Sequence, residues 1–159
     1  MQQVVVVLHN VRSTHNVGSI FRTADAAGVE RVYLTGYTPT PLDRFGRAQK
    51  DIAKTALGAE KYIPWEYAKS PAELLRRLKK DGWDVVGVEQ DERSVDYRTL
   101  KPGDKTVFML GNEVRGMSKQ MRDVCDLLIE IPMHGKKESL NVSVTAGIIL
   151  FSCISKASA

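Results

Sequence analysis

Apolar and polar residues along this chain alternate in blocks with two different periods. Val4-Val5-Val6-Val7-Leu8 is an unbroken, mostly β-branched run. It is short and apolar on both alternating faces, which predicts a strand covered from both sides. After Asn10 the period changes: Ile20, Phe21, Ala24 and Ala27 fall on one face of a helix, and Gly28 supplies its stop. Arg31 to Thr35, Trp83 to Glu89, Thr106 to Leu110 and Leu127 to Ile131 return to the strand pattern. Between them, Gly46 to Ala56 predicts a basic helix. Ser70-Pro71-Ala72-Glu73 opens another, with Ser70 as N-cap, Pro71 at the first turn and Glu73 closing a capping box, and that helix ends at Gly82. An apolar helix from Val142 to Ile154 closes the pattern. Strands alternating with helices predict an α/β fold, a mostly parallel sheet covered by helices on both faces.

Composition narrows the class. The chain has 159 residues, 43% hydrophobic and 26% charged, which fits one compact domain over residues 1–159 and excludes a disordered chain. The longest apolar run, Ala146 to Ile154, falls far short of the roughly 20 residues that cross a bilayer. No basic leader with a cleavage site precedes the first strand, so a cytoplasmic protein is expected, with no membrane partner. Cys125 and Cys153 read as reduced structural residues, and His9, His15 and His134 lack zinc-type spacing, so no metal is expected. The net charge of +4 is modest for a polyanion-binding protein. Attraction must come from local clusters: Arg44, Arg47, Lys50 and Lys54 form one, and Arg12, Arg115, Lys119, Arg122, Lys136 and Lys137 lie in or beside polar loops.

Those loops carry the candidate chemistry. Asn16-x-Gly18-x-Ile20-x-Arg22 follows the first strand through a polar segment. Gly111-Asn112-Glu113-x2-Gly116 follows the Thr106 strand, where glycine permits positive φ or close approach of a ligand. Ile131-Pro132-Met133 leads into Ser139-Leu140-Asn141-Val142-Ser143, in which Ser139 or Asn141 can cap the closing helix. In an open α/β sheet, ligands bind beyond the carboxyl ends of the strands. The Gly111-x4-Gly116 spacing resembles a phosphate loop but fails as one, because Met117 stands where lysine is required. No G-x-G-x-x-G follows either strand. Arg22 sits in an apolar stretch with no evident packing role, which leaves it either a snorkelling surface residue or a site residue.

Taken in order, the three segments resemble the three motifs of the TrmH branch of the SPOUT RNA methyltransferases, across nearly the whole chain. The resemblance implies a C-terminal trefoil knot, an exception to the rule that chains avoid knots. It also implies S-adenosylmethionine as cofactor, a homodimer with the site near the subunit contact, and methylation of a ribose 2′-hydroxyl in structured RNA, tRNA or rRNA. Carried over residue by residue, Gly111, Gly116, Ile131 and Leu140 would line the cofactor pocket, with Leu110, Met133 and Ser139 beside them and Glu89 toward the adenosine. Asn16, Arg22, Glu113, Ser139 and Asn141 would be catalytic, with Glu113 beside Arg22 to fix its guanidinium. A guanidinium keeps its proton below roughly pH 12, so Arg22 is expected to act as a fixed cation rather than a base.

The short length resembles the wobble-position tRNA methyltransferases and implies no appended RNA-binding domain, while the motif wording lies closer to the TrmH side. The RNA and its nucleotide stay open. Two further classes compete: a catalytically silent RNA-binding homologue, and an α/β enzyme using another nucleotide cofactor, which the missing phosphate loop disfavours. The closing helix is apolar around most of its circumference, through burial in the monomer or contact with a second subunit.

Overall fold

All strand pairings run parallel in a seven-stranded sheet. The structure is a computed structural model that describes residues 1–157, without the side chains of 154–157. Its strands are β1 (Gln3–His9), β2 (Arg31–Thr35), β3 (Trp65–Ala68), β4 (Asp84–Val88), β5 (Val95–Asp96), β6 (Lys105–Leu110) and β7 (Leu127–Glu130). The helices are α1 (Thr14–Ala27), α2 (Lys50–Ala56), α3 (Ala59–Tyr62), α4 (Pro71–Lys80), α5 (Lys119–Val124) and α6 (Val142–Ala157).

The order across the sheet is β3-β2-β1-β6-β4-β7-β5. From β1 the chain moves out to the β3 edge, crosses to β4 and β5, then returns to insert β6 beside β1 and β7 between β4 and β5. The β1/β6 boundary is therefore a switch point, where outgoing connections diverge at the carboxyl edge. Alternation along β1 explains its unbroken apolar run. Val4, Val6 and Leu8 pack with α1, α2 and α6 on one face, while Val5 and Val7 pack with α4 and α5 on the other.

Helix ends follow local chemistry. Ser13 caps α1 by accepting from the Asn16 N–H at 3.2 Å, and Gly28 ends it at φ 76°. Ser70 caps α4 as expected, the last helical residue is Lys80, and Gly82 follows at φ 88°. The basic helix expected from Gly46 begins only at Lys50. The Asp43 carboxylate accepts from the backbone N–H groups of Phe45 and Arg47, Gly46 sits at φ 77°, and Leu42 bridges Ala48, so residues 42–48 form a tight hairpin instead. The short β3, β5, α3 and α5 carry too little periodic pattern to be expected. Among the described residues, no helix is long and apolar enough to cross a membrane.

Candidate active site

Because every strand is parallel, the loops after β1, β4, β6 and β7 emerge at one edge. Those after β4, β6 and β7 enclose a cavity of about 290 Å³, at the low end of small-molecule sites, while the loop after β1 is bonded to its margin through Glu113. Leu110, Gly111 and Gly116 line it from the β6 loop, Ile131, Met133, Ser139 and Leu140 from the segment before α6, and Glu89 from the end of β4. All eight residues expected around a cofactor meet there. Val88, Gln90, Glu130, Glu138, Val142 and Thr145 complete the wall together with residues 112–115.

The two glycines are required by space. A Cβ on Gly111 would stand 2.9 Å from the Met117 backbone N, and one on Gly116 would overlap the Glu89 carboxylate. Gly116 also holds φ 65°, a left-handed conformation that disfavours a side chain. The turn between them is wound around Asn112, whose Oδ1 accepts from the N–H groups of Val114 (2.9 Å) and Arg115 (2.8 Å). Glu89 then clamps the loop to β4 by accepting from Met117 N–H at 2.7 Å. Sequence reasoning placed Glu89 only against the adenosine; its carboxylate also builds the wall.

At the cavity margin the three motifs join through hydrogen bonds. Glu113 accepts from the backbone N–H groups of Arg12 (3.2 Å) and Ser13 (3.1 Å) and from Asn16 Nδ2 (3.3 Å). Asn16 Oδ1 accepts from Asn141 Nδ2 at 3.1 Å, and Asn141 Oδ1 accepts from Ser143 N–H at 2.8 Å, which caps α6. Partial burial pushes the Glu113 carboxyl upward, but its own backbone N–H, those of Ser13 and Arg12, and the Asn16 amide outweigh this, so it is held below the usual carboxylate range. Glu113 is therefore ionised at neutral pH. Its charge fixes the Asn16 amide with the oxygen toward Asn141.

The expected contact between Glu113 and Arg22 is absent. Asn16 and the α1 N-terminal amides occupy the carboxylate. Arg22 lies six residues along the helix, roughly 120° around the axis from Asn16, and is exposed. Among the described residues it makes no ion pair, and it does not line the cavity. Ser139 lines the cavity and is exposed, but Asn141 alone caps α6.

Sequence reasoning named Asn112 within its motif but gave it no part. Its Nδ2 donates to the Asn10 carbonyl (3.0 Å) and to the Tyr37 hydroxyl (3.0 Å), joining the β6 loop to those after β1 and β2. Glu130 and Glu138 were also missed; their signal was two carboxylates flanking the Ile131-Pro132-Met133 segment. Cys125 donates to the Met121 carbonyl, and burial pushes its thiol up to about 11, so it is no nucleophile. Among the described residues, no group of His, Cys, Asp and Glu is arranged to hold a metal ion.

Residues 3–151 match the model of the SpoU rRNA Methylase family. The chain belongs to that family. Among similar proteins, the 23S rRNA (guanosine-2′-O-)-methyltransferase RlmB of Neisseria meningitidis is 36% identical over 146 residues, covering 92% of this chain and 56% of that protein. A Staphylococcus saprophyticus protein assigned to the TrmH family of tRNA/rRNA methyltransferases is 36% identical over 152 residues, covering 96% of this chain and 58% of its own. The chain thus spans a little over half the length of these relatives. An AdoMet-bound rRNA methyltransferase from Sinorhizobium meliloti superposes with a TM-score of 0.88 at 31% identity, over 97% of this chain and 56% of that one. The A. aeolicus TrmH/SpoU tRNA modifying enzyme gives 0.84 at 30%, over 99% and 77%.

Proposed function

We propose that this single SpoU domain methylates a ribose 2′-hydroxyl of structured RNA, tRNA or rRNA, using S-adenosylmethionine. One observation carries the reading. Two sequence-distant motifs line one cavity, and the Glu113–Asn16–Asn141 relay ties the first motif to its margin.

The residues present fit the cofactor. Val88, Leu110, Ile131, Met133 and Leu140 offer apolar walls, and Gly111 and Gly116 keep backbone accessible where a Cβ would collide. Four carboxylates, Glu89, Glu113, Glu130 and Glu138, line the cavity against the single cation Arg115, which suits a positively charged ligand. Bound S-adenosylmethionine would supply a methyl group activated by its sulfonium, the oxygen–carbon bond forming as the carbon–sulfur bond breaks and S-adenosylhomocysteine leaves.

The chain's own part is placement and charge. Asn16 and Asn141, locked by ionised Glu113 and the α6 cap, orient the sugar, and positioning alone can supply much of the rate. Arg22 stabilises the developing alkoxide as a fixed cation, and the proton passes to an RNA phosphate or water. In this reading Arg22 reaches the hydroxyl across a homodimer contact, since its own Glu113 is already satisfied. Half-exposed Val144 and Phe151 on α6 support that contact. The reading also includes a C-terminal trefoil knot and a cytoplasmic site of action.

Calorimetric titration with S-adenosylhomocysteine, followed by methyl transfer to bulk RNA and mass-spectrometric mapping of ribose methylation, tests the proposal. Binding with 2′-O-methylated product is expected. Binding without transfer would favour a second reading, a silent RNA-binding homologue, toward which the separation of Arg22 from Glu113 points.

A further inference from the structure

The connection between β2 and α2, residues 36–49, holds two exposed aromatic rings that the proposed chemistry does not use. Phe45 stands 66% exposed at the tip of the 42–48 hairpin, and Tyr37 is 56% exposed at the cavity margin. The hydrophobic effect favours hiding both rings, so what holds them out matters.

The hairpin is tightly built. The Asp43 carboxylate accepts from Phe45 N–H (2.8 Å), Arg47 N–H (2.9 Å) and Arg47 Nε (2.9 Å); Asp43 N–H donates to the Arg47 carbonyl at 2.8 Å. Gly46 turns the chain at φ 77° in open space. Phe45 is therefore presented on a braced tip. Two guanidinium groups lie over its ring, Arg44 at 4.7 Å and Arg47 at 5.0 Å from the centroid. Asp43 fixes Arg47, whereas Arg44 has no ion pair among the described residues and can leave the ring for an anion. Tyr37 is braced likewise: its hydroxyl is bonded by Asn112 Nδ2 and its backbone N–H donates to Asn10 Oδ1 at 3.1 Å.

We infer that the 36–49 segment is a stacking platform for unpaired RNA bases flanking the methylated nucleotide. Tyr37 takes a base at the cavity margin and Phe45 takes one farther along, with Arg44 moving to the phosphate and Arg47 staying over the ring. Aromatic faces beside a mobile guanidinium group bind splayed single-stranded bases and offer little to a closed A-form duplex, whose base faces are hidden. The substrate class is then an RNA loop rather than a helical stem. The inference rests on the RNA reading above.

The test compares a stem-loop RNA with the fully paired duplex of equal length, using wild type, Phe45→Ala, Phe45→Trp and Arg44→Ala, none of which touches the cavity. Phe45→Ala should weaken stem-loop binding about tenfold, Phe45→Trp should restore it, and duplex binding and S-adenosylhomocysteine affinity should stay unchanged. Equal stem-loop affinity in wild type and Phe45→Ala would overturn the platform. So would a loss of dimer mass in Phe45→Ala, which would assign the hairpin to a contact between copies. Ring-dependent RNA binding without S-adenosylhomocysteine binding would instead remove the reading of the cavity and keep the platform.

Discussion

At the scale of single residues, the cavity wall depends on two glycines, and the loop after β1 on a histidine. Gly116→Ala would drive a Cβ into the Glu89 carboxylate at a backbone angle that already resists a side chain. The clamp from Glu89 to Met117 N–H would open, so S-adenosylhomocysteine affinity should fall at least tenfold in calorimetry while the thermal midpoint drops by only a few degrees. Unchanged affinity would show that the β6 loop does not form the ligand wall. His9 supports the neighbouring loop. Asn10 Oδ1 is taken by Tyr37 N–H, so the Asn10 amide points Nδ2 at His9 Nε2 (3.2 Å), leaving His9 Nδ1–H for Thr35 Oγ1 (2.9 Å). Only a neutral ring satisfies both, and burial holds the His9 pKa below its ordinary 6.5. The unfolded chain then binds more protons than the folded one between the two pKa values, so stability is full above 6.5 and declines as pH falls through and below it. Denaturant midpoints should show that decline in wild type and a flatter curve in His9→Gln; equal slopes would remove His9 as the cause. The residues named for the cavity were legible through the family resemblance of the motifs that hold them, not through composition or periodicity. The Arg22 to Glu113 contact, implied by the same resemblance, does not form within one chain, because the Arg12 and Ser13 N–H groups and the Asn16 amide already fill the carboxylate.

At the scale of elements, the closing helix links stability to chemistry through one side chain. Asn141 Oδ1 accepts from Ser143 N–H as cap, and its Nδ2 donates to Asn16. Asn141→Ala removes both and should cost about 1 kcal/mol of stability. Asn141→Asp keeps the cap oxygen but sets a carboxylate against Asn16 Oδ1, which Glu113 prevents from turning. Thermal unfolding should place the Asp variant near wild type and the Ala variant below it, while methyl transfer should collapse in both. Full transfer in Asn141→Asp would take the relay out of the mechanism. Element boundaries were readable where a cap or glycine marks them, as at Ser70 and Gly28. The hairpin at 42–48 escaped because one aspartate side chain overrode a helical pattern. Gly18 was read as a motif residue, yet its lack of a side chain also lets α2 press on α1, where a Cβ would overlap Thr55 Oγ1 and crowd the Ile52 carbonyl.

At the scale of the whole molecule, the outer stripe of α6 calls for a cover. Val144, Ile148 and Phe151 recur at helical spacing, with Val144 and Phe151 each half exposed. Such a stripe costs free energy in water unless something covers it. A second copy is the simplest cover, and α6 packs on α1, the helix that carries Arg22. If Arg22 serves the neighbouring subunit's site, one chain should be able to supply the arginine and another the relay. Arg22→Ala and Asn141→Asp would each be inactive alone. Mixed, unfolded and refolded together, they should recover about a quarter of wild-type turnover, because random pairing makes half the dimers mixed and each mixed dimer rebuilds one of two sites. Phe151→Glu should shift the solution mass to a single chain and remove turnover without weakening S-adenosylhomocysteine binding. Arg22→Lys divides charge from geometry: retained turnover means a cation suffices, and loss equal to Arg22→Ala means the planar fork is needed. Recovery in the mixture would assign Arg22 to the neighbouring site. No recovery, with Arg22→Ala still inactive in a verified dimer, would require the arginine to swing into its own chain's cavity when RNA arrives.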